Sequence, residues 1–491
     1  MSHSSELRTL YTPRNPEGKP TAYRVSHPNI LFIMSDQHRF DWLDCRGMED
    51  LHTPHLDRLA EEGVIFSQAT CNSPLCAPSR AALATGLRPP RCHVLDNSYS
   101  LSPDAWTIYR HLRRYGYRTA LFGKLDLHKP QFYNGVRGDL PIVYQLGFTD
   151  PLEAEGKQHG AQRIFVEGAD GSREHLLIGP YQRHLQDKGL LESFCADYAQ
   201  RYRQHAHYAA PSVLPCEDFE DAWIGEKACH YLREVNDDSP WFAFVSFVGP
   251  HNPWDAPEEY LQHYEDVSMP NPMMDPGADR AAWVQQKQEE MIRGTDEVTA
   301  QEMRRNYSGM VTLIDDYVGE MVDILETRDL LNDTIIVYTS DHGEMLGDLG
   351  LVHKSVQYEP ALRVPLILSG WGVPSLGASD ALVELFDVTP TLLDLVDLPV
   401  PSGLDACSFV PLLQGETDVH RQYQIAQLPF TTCIRDEAFK AIVNPNDRPE
   451  LYDLRNDPWE TENVYDQHEG RYRELMQRLH EHVTGGRNLN A

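Results

Sequence analysis

The sequence has no long apolar run and no secretion signal of the usual kind. No apolar stretch approaches the roughly 20 residues that a helix needs to cross a bilayer. Residues 1–28 contain several prolines and many polar side chains but lack the apolar core of a secretory signal, and are predicted to form a loosely ordered N-terminal arm. We therefore expect a soluble, cytoplasmic protein with no membrane partner.

Basic residues are scarce in this chain. It has 43 Lys and Arg against 74 Asp and Glu, which gives a formal net charge of -31. A surface with this excess of negative charge repels polyanions, which argues against nucleic acid as a partner. If the substrate is an anion, a local cationic pocket and a metal ion must overcome that repulsion.

Cysteines are few, and their spacing is irregular. An odd number, nine, in a long chain indicates reduced thiols rather than a disulfide framework. The sequence shows neither an internal repeat nor a low-complexity tract, and its 41% hydrophobic and 24% charged residues are typical of a globular protein. A chain of 491 residues is expected to form one large domain with a smaller one appended.

Short apolar runs alternate with helical patterns, which predicts an α/β domain with a mostly parallel central sheet flanked by helices. The clearest buried strands are predicted at 29–34, 117–123, 241–248 and 335–339. Polar residues follow each of them directly. Because ligands of open α/β sheets bind at the carboxyl ends of the strands, these four endings are expected to converge on one site.

The chain is predicted to divide near residue 415. Residues 29–415 would form the catalytic domain, in which the less regular span 131–235 is interpreted as a variable insertion that shapes specificity. Residues 416–491 would form a small C-terminal α+β subdomain, because four short strand patterns there predict an antiparallel sheet. A last amphipathic helix over 471–483 would cover one face of it.

Residues 76–80 read Cys-Ala-Pro-Ser-Arg and place Cys76 at the start of a predicted helix, where backbone N–H groups and the helix dipole favour an anion. The segment resembles the Cys-x-Pro-Ser-Arg signature of the formylglycine-dependent sulfatases, which belong to the alkaline-phosphatase-like superfamily. The resemblance implies that a formylglycine-generating enzyme oxidises Cys76 to formylglycine (3-oxoalanine). A buried structural thiol is the alternative for a single cysteine considered alone.

Two polar pairs extend the resemblance, which covers about residues 28–465. Asp36 and Gln37 resemble the family's first metal-binding pair, and Asp341 and His342 resemble the second. With residue 76 they would hold one divalent metal. Carboxylate, amide and imidazole ligands suit Ca²⁺, the family default, and the imidazole keeps Mn²⁺ as the alternative.

Basic residues complete the resemblance. His251, in a Pro-His-x-Pro pattern, resembles the histidine that protonates the leaving oxygen or contacts the sulfate, and Lys124 and Lys354 resemble the two sulfate-binding lysines. Arg80 would neutralise charge on the sulfate and the nucleophile. The resemblance thus gives Cys76, Arg80, Lys124, His251 and Lys354 catalytic places.

One segment departs from the family. The usual pattern is Gly-Lys-x-His, whereas here Asp126 stands at the place of the histidine and His128 follows two residues later. Alternation along an extended segment would send both side chains to the same side, so His128 could still reach the pocket as a catalytic base. Which of the two fills the place of the histidine stays open.

The resemblance implies hydrolysis of a sulfate monoester to an alcohol and inorganic sulfate. One hydroxyl of the hydrated formylglycine would attack sulfur, His251 would protonate the leaving alcohol, and deprotonation of the second hydroxyl would expel sulfate. A phosphonate monoester or phosphodiester hydrolase using the same site is the alternative, and a non-catalytic metal-stabilised binding protein is a remote one. The acidic surface favours a small sulfated substrate, such as a carbohydrate sulfate; the sequence does not indicate an oligomeric state.

Overall fold

The first strand of the computed structural model begins at Asn29, and the structure describes residues 27–129, 133–167, 173–204, 208–236, 238–292 and 296–485. Residues 1–26, which make up most of the predicted N-terminal arm, lie outside the described residues. The strands are β1 (Asn29–Asp36), β2 (Val64–Thr70), β3 (Arg118–Gly123), β4 (Asp150–Glu153), β5 (Ile164–Glu167), β6 (Arg173–Leu176), β7 (Trp241–Pro250), β8 (Thr334–Ser340), β9 (Leu366–Gly370), β10 (Gly377–Glu384), β11 (Gln424–Leu428), β12 (Thr431–Arg435), β13 (Phe439–Val443) and β14 (Glu450–Asp453).

Eight of these strands form one sheet in the order β10-β2-β9-β8-β1-β7-β3-β4. Neighbouring strands run parallel, except that β9 is antiparallel to both β2 and β8. The four strands predicted most clearly from the sequence are β1, β3, β7 and β8, and they lie side by side in its middle. The predicted mostly parallel sheet is confirmed.

Both faces of this sheet are covered, which explains why its strands are continuous apolar runs instead of alternating ones. Successive side chains of a strand point to opposite faces. In β1, accordingly, Ile30, Phe32 and Met34 join the core on one face, whereas Leu31 and Ile33 join the core on the other.

Helices form the two outer layers. α1, α9 and α12 contribute to one core, and α2, α4 and α14 contribute to the other. The α-helices are α1 (Pro54–Glu62), α2 (Cys76–Thr85), α3 (Pro89–Cys92), α4 (Ile108–Arg114), α5 (Pro141–Leu146), α6 (Lys157–Gly160), α7 (Pro180–Lys188), α8 (Leu191–Gln204), α9 (Glu220–Glu234), α10 (Glu258–Leu261), α11 (Ala282–Ile292), α12 (Glu297–Thr327), α13 (Glu359–Leu362), α14 (Val388–Leu395), α15 (Val410–Leu413) and α16 (Glu469–Gly485).

The C-terminal part has its own sheet. β11, β12, β13 and β14 pair in that order, each antiparallel to the next, as predicted. Leu475 of α16 packs on Ile425, Ile434 and Leu451 of this sheet, so the last helix covers the expected face. Buried ion pairs from Arg435 and Lys440 to Glu359 also connect the small sheet to the main domain.

The span predicted as an insertion, 131–235, contributes to the main sheet as well as to the surface. β4 is its edge strand, and α9 packs against the sheet through Ile224, Ala228 and Leu232. The domain boundaries therefore stay a prediction. Among the described residues, no helix combines the length and the apolar character needed to cross a membrane.

Candidate active site

The carboxyl ends of four central strands place the predicted site residues at one edge of the sheet. β1 ends at Asp36, β8 is followed by Asp341 and His342, β7 by His251 and β3 by Lys124. Because these strands are parallel neighbours in register, with Ser35 opposite Ser340 and Gly123 opposite Ser246, their ends coincide.

Local backbone conformations aim two of these side chains. Gln37 has a φ of 73°, a left-handed conformation that is uncommon for residues other than glycine and turns the chain sharply after Asp36. Gly123 has a φ of 100°, and a Cβ at this position would lie 2.0 Å from the carbonyl oxygen of Ser246. Only glycine permits this close approach, which places Lys124 directly at the strand end.

Cys76 is the first residue of α2 and is 1% exposed. Its Sγ lies 3.2 Å from Nε2 of His342 and 3.9 Å from Oδ1 of Asp36. Burial and Asp36 act to raise the pKa of the Cys76 thiol, but the ammonium groups of Lys124, Lys129 and Lys354 outweigh them and lower it to about 6. The site therefore stabilises negative charge on the side chain of residue 76.

The donor set around Cys76 fits a divalent cation. One ligand atom each from Asp36, Cys76, Asp341 and His342 lies within 4.8 Å of all the others, and all four residues are buried. Nε2 of His342 is 3.9 Å from Oδ1 of Asp36 and 3.7 Å from Oδ1 of Asp341. Carboxylate oxygens together with an imidazole suit Ca²⁺ or Mn²⁺. The backbone N–H of Gln37 donates to Oδ1 of Asp341 at 3.1 Å, which places Gln37 next to this group.

Arg80 binds the outer oxygens of the same carboxylates. Its guanidinium donates to Oδ2 of Asp341 at 2.8 Å and to Oδ2 of Asp36 at 3.3 Å, and Lys124 also donates to Oδ2 of Asp36. The Oδ1 atoms are left facing Cys76 and His342. Burial alone would raise the pKa of Asp36, but the cations Lys124, Arg80 and Lys354 hold it well below its usual range.

Lys354 and His251 form a hydrogen-bonded pair. Nδ1 of His251 donates to the carbonyl oxygen of Asn252 at 2.6 Å, so Nε2 is the acceptor for Nζ of Lys354 at 2.5 Å. Nζ of Lys354 also donates to Oε1 of Gln37. Burial and the positive charge of Lys354 hold the pKa of His251 well below its usual value, so the imidazole is neutral while the ammonium carries the proton.

The structure separates Asp126 from His128. Asp126 contacts Lys124 at 3.2 Å and Lys129 at 2.5 Å, and it lines a cavity together with Lys124 and His251. His128 instead pairs with Glu153 at 2.7 Å and is not among the described residues that line this cavity. The expected alternation does not apply, because Asp126 has a φ of 59° and the segment turns there instead of running extended.

These pairings also set the charges of the two side chains. Burial alone would raise the pKa of Asp126, but Lys124 and Lys129 outweigh it and lower that pKa well below its usual range. Burial alone would lower the pKa of His128, but Glu153 outweighs it and raises that pKa. Asp126 is therefore an ionised acceptor in the cavity, whereas the His128 imidazole is engaged by a carboxylate.

Sequence reasoning missed two residues that contact the site. Glu344 is fully buried and accepts a hydrogen bond from Nε2 of Gln37. Lys287 of α11 donates to the carbonyl oxygen of Lys354 at 2.6 Å, and burial lowers the pKa of Lys287 to about 8. Glu344 could have been suspected from its place two residues after His342, but Lys287 lies in a polar stretch without any motif.

Comparisons with known proteins identify relatives of this chain. The sulfatase family model matches residues 28–398, and the model for the C-terminal part of N-sulphoglucosamine sulphohydrolase matches residues 347–488. The chain is 30% identical to a choline-sulfatase of Rhizobium meliloti over 459 residues, which cover 89% of this chain and 82% of that protein. It is 26% identical to an arylsulfatase of Clostridium perfringens, with 92% of each chain covered.

Solved structures share the fold. A phosphonate monoester hydrolase of Silicibacter pomeroyi superposes with a TM-score of 0.76 at 24% identity and covers 94% of this chain and 96% of that one. The phosphonate monoester hydrolase of Agrobacterium radiobacter gives a TM-score of 0.72 at 24% identity, with 94% and 97% covered. At this identity the likeness concerns the architecture alone.

Proposed function

Because this chain belongs to the sulfatase family and is a sulfuric ester hydrolase, we propose that it cleaves a sulfate monoester with the side chain of residue 76 as nucleophile. The observation that carries the proposal is the position of Cys76. Its Sγ lies at the first turn of α2, 3.2 Å from His342 and 3.9 Å from Asp36. A nucleophile at this point meets backbone N–H groups and the positive end of the helix dipole, both of which favour sulfate oxygens.

Two groups that are not part of the polypeptide chain as translated complete the site. Oxidation of Cys76 by a formylglycine-generating enzyme supplies an aldehyde whose hydrate offers a hydroxyl nucleophile. Asp36, Gln37, Asp341, His342 and residue 76 would hold one divalent cation, Ca²⁺ or Mn²⁺, which supplies Lewis acidity and lowers the pKa of that hydroxyl. The inward-facing Oδ1 atoms of both aspartates support this assignment.

Arg80, Lys124 and Lys354 neutralise the charge of the sulfate group. Arg80 is held in place by four acceptors, because it also donates to the carbonyl oxygen of Lys124 at 2.7 Å and to Oγ of Ser246 at 2.8 Å. Cations positioned in advance in a buried site stabilise developing charge without reorganising during the reaction. We assign Lys124 and Lys354 to the sulfate oxygens.

His251 and Lys354 hold the proton that the leaving alcohol needs. Their shared hydrogen bond of 2.5 Å places that proton between Nζ and Nε2. Transfer of this proton to the departing oxygen leaves a neutral pair that solvent can protonate again. Because the pKa of His251 is held low, its imidazole stays neutral, and the ammonium of Lys354 is the acid of the pair.

Asp126 takes the place that a histidine has in the family's Gly-Lys-x-His pattern. Its carboxylate lies in the cavity beside Lys124, where it can accept a proton or a hydrogen bond. His128 is buried against Glu153, and its Nδ1 has no hydrogen-bond partner among the described residues. We therefore place Asp126 at the reacting groups and give His128 the role of fixing the loop that carries it.

The substrate is proposed to be a small sulfated alcohol. Beside Lys124 and His251, the cavity is lined mostly by polar side chains, among them Asp126, Lys129, Gln158 and His159. Such a wall suits a hydroxylated or charged alcohol, and relatives include an N-acetylglucosamine-6-O-sulfatase of Bacteroides thetaiotaomicron. Sulfated carbohydrates therefore head the substrates to be tested.

Phosphonate monoester or phosphodiester hydrolysis is the second candidate. A phosphate diester and a sulfate monoester are both tetrahedral and carry one negative charge, so the same cations would bind either. A multifunctional alkaline phosphatase superfamily protein of Trinickia caryophylli, 28% identical over 494 residues, supports testing it.

One experiment separates the candidates. Protein produced with a formylglycine-generating enzyme is digested, and mass spectrometry of the peptide that contains residue 76 measures the aldehyde fraction. Turnover of 4-nitrophenyl sulfate and of 4-nitrophenyl phenylphosphonate is then compared on the same sample. Sulfatase function requires the aldehyde and the higher kcat/KM on the sulfate. A thiol that persists at residue 76, together with no turnover, would instead favour a binding protein.

A further inference from the structure

Glu344 is a buried carboxylate whose hydrogen bonds reach two parts of the proposed site. Its Oε2 accepts a hydrogen bond from Nε2 of Gln37. Its Oε1 accepts one from the backbone N–H of Leu346 at 3.0 Å and another from the backbone N–H of His353. The side chain is 0% exposed, so these contacts are shielded from water.

The first consequence concerns the orientation of an amide group. The two oxygens of Glu344 face three N–H donors and accept from all of them, whereas an amide has a donor side and an acceptor side. The NH₂ group of Gln37 must therefore face Glu344, and its Oε1 must face the opposite way, where Nζ of Lys354 donates to it. Rotated by half a turn, the amide would present donors to an ammonium group and to the proposed cation, and both contacts would be repulsive.

The second consequence concerns the loop that carries Lys354. Leu346 and His353 have φ values of 45° and 64°, conformations that residues other than glycine seldom adopt. Strained residues persist only where surrounding contacts hold them. Oε1 of Glu344 bonds to the N–H of both, so one carboxylate oxygen holds the loop whose next residue is Lys354.

We propose that Glu344 is a positioning residue that orients Gln37 as a metal ligand and Lys354 as a sulfate-binding residue. The inference rests on the proposed function, because it takes the Asp36, Gln37, Asp341 and His342 group as the cation site. Glu344 does not touch the substrate. It acts by fixing which atom of Gln37 points into the site.

The test compares cation affinity in three forms of the full-length protein. After treatment with a chelator, Ca²⁺ and Mn²⁺ binding is measured by calorimetry for the native protein, for Glu344→Gln and for Glu344→Gln combined with Gln37→Glu. In Glu344→Gln, the new NH₂ group at position 344 faces the NH₂ group of Gln37. Two donors repel each other, so the amide of Gln37 is expected to rotate by half a turn. Loss of a residue that orients a ligand weakens metal binding by about 10- to 100-fold.

The double variant shows whether position 344 acts by orienting the side chain at position 37 or only by filling space. It exchanges the two groups, so that the carboxylate now at position 37 would accept from the amide now at position 344 with one oxygen and present the other oxygen to the cation. We therefore expect affinity to return to within about tenfold of native. KM for 4-nitrophenyl sulfate should recover with it. Glu384→Gln is the control, because Glu384 is equally buried and also accepts a backbone N–H but lies away from the site; its cation affinity should match the native value.

Each outcome decides the proposal. A Glu344→Gln variant that binds cations as tightly as the native protein, or a double variant as weak as the single one, would overturn it. If the single variant does not fold, the double variant is compared with the native protein directly, and a loss beyond about 100-fold would overturn the proposal. A native protein that binds neither cation would instead overturn the proposed function.

Discussion

Arg80 offers the sharpest test of how this site is held together. Its guanidinium, 2% exposed, bonds two carboxylates, one carbonyl oxygen and one hydroxyl. In Arg80→Ala, Oδ2 of Asp341 loses its cation in a buried setting, and breaking such a pair destabilises a protein by about 3 to 5 kcal/mol. In Arg80→Lys the charge stays, but three N–H donors cannot serve four acceptors, and a buried acceptor left unpaired costs about 1 to 3 kcal/mol.

The assay is urea unfolding of chelator-treated protein followed by circular dichroism. Arg58→Ala is the matched control, because Arg58 also contacts two carboxylates, Glu62 and Glu326, but its side chain is 42% exposed. An exposed pair contributes about 0 to 1 kcal/mol, so this control should barely change the midpoint. Added Ca²⁺ should reduce the difference in unfolding free energy between Arg80→Ala and the native protein, because a cation bound to the same carboxylates replaces part of the lost positive charge. An Arg80→Ala variant no less stable than Arg58→Ala would refute this reasoning.

Further predictions concern the reaction itself. Cys76→Ala should abolish turnover of 4-nitrophenyl sulfate. Its Ca²⁺ affinity should stay measurable by calorimetry, because the aspartates and His342 remain. Turnover by this variant would show that residue 76 is not the nucleophile. Asp126→Asn should lower kcat/KM more than His128→Asn does, because of these two residues only Asp126 lines the cavity. A larger loss in His128→Asn would instead assign the place at the reacting groups to His128. The ionisation of Cys76 can be followed by thiolate absorbance near 240 nm in metal-free protein whose residue 76 is still a thiol, with Cys76→Ala as the blank. As the pH is raised, this absorbance should increase with a midpoint near pH 6. This folded-state pKa lies below the ordinary thiol value, so the stability it contributes should be fully present above about pH 9 and lost as pH falls through 6.

The parts of the fold that the sequence predicts well are those set by short-range patterns. β1, β3, β7 and β8 are apolar runs bounded by polar residues, and a parallel sheet brings their carboxyl ends together whatever the loops do. The site residues at those ends, Asp36, Lys124, His251 and Asp341, were therefore predictable as a group. The four antiparallel C-terminal strands followed from the same reasoning, because each is short and flanked by turn residues.

What the sequence could not predict depends on single dihedral angles and on long-range contacts. Alternation along an extended segment predicts that Asp126 and His128 point to the same side, but the positive φ of Asp126 turns the chain there. The contact between Glu344 and Gln37 joins residues 307 positions apart, and no spacing rule connects them. Lys287 reaches Lys354 only because α11 packs against the loop that carries this lysine.

The electrostatics of the site also explain how an acidic protein can act on an anion. Around residue 76, the cations Arg80, Lys124, Lys129 and Lys354 offset the carboxylates Asp36, Asp126, Asp341 and Glu344, and a bound divalent cation would tip this balance towards positive charge. The cations lie close enough to residue 76 to lower its pKa although it is buried. Interactions between exposed charges fade beyond a Debye length of about 8 Å at physiological salt, so a small anion inside the cavity experiences the local cations. A long polyanion would extend beyond these cations onto the surface of a protein whose net charge is -31, and this surface would repel it along most of its length. The same arrangement that admits one sulfate group therefore disfavours a highly sulfated chain.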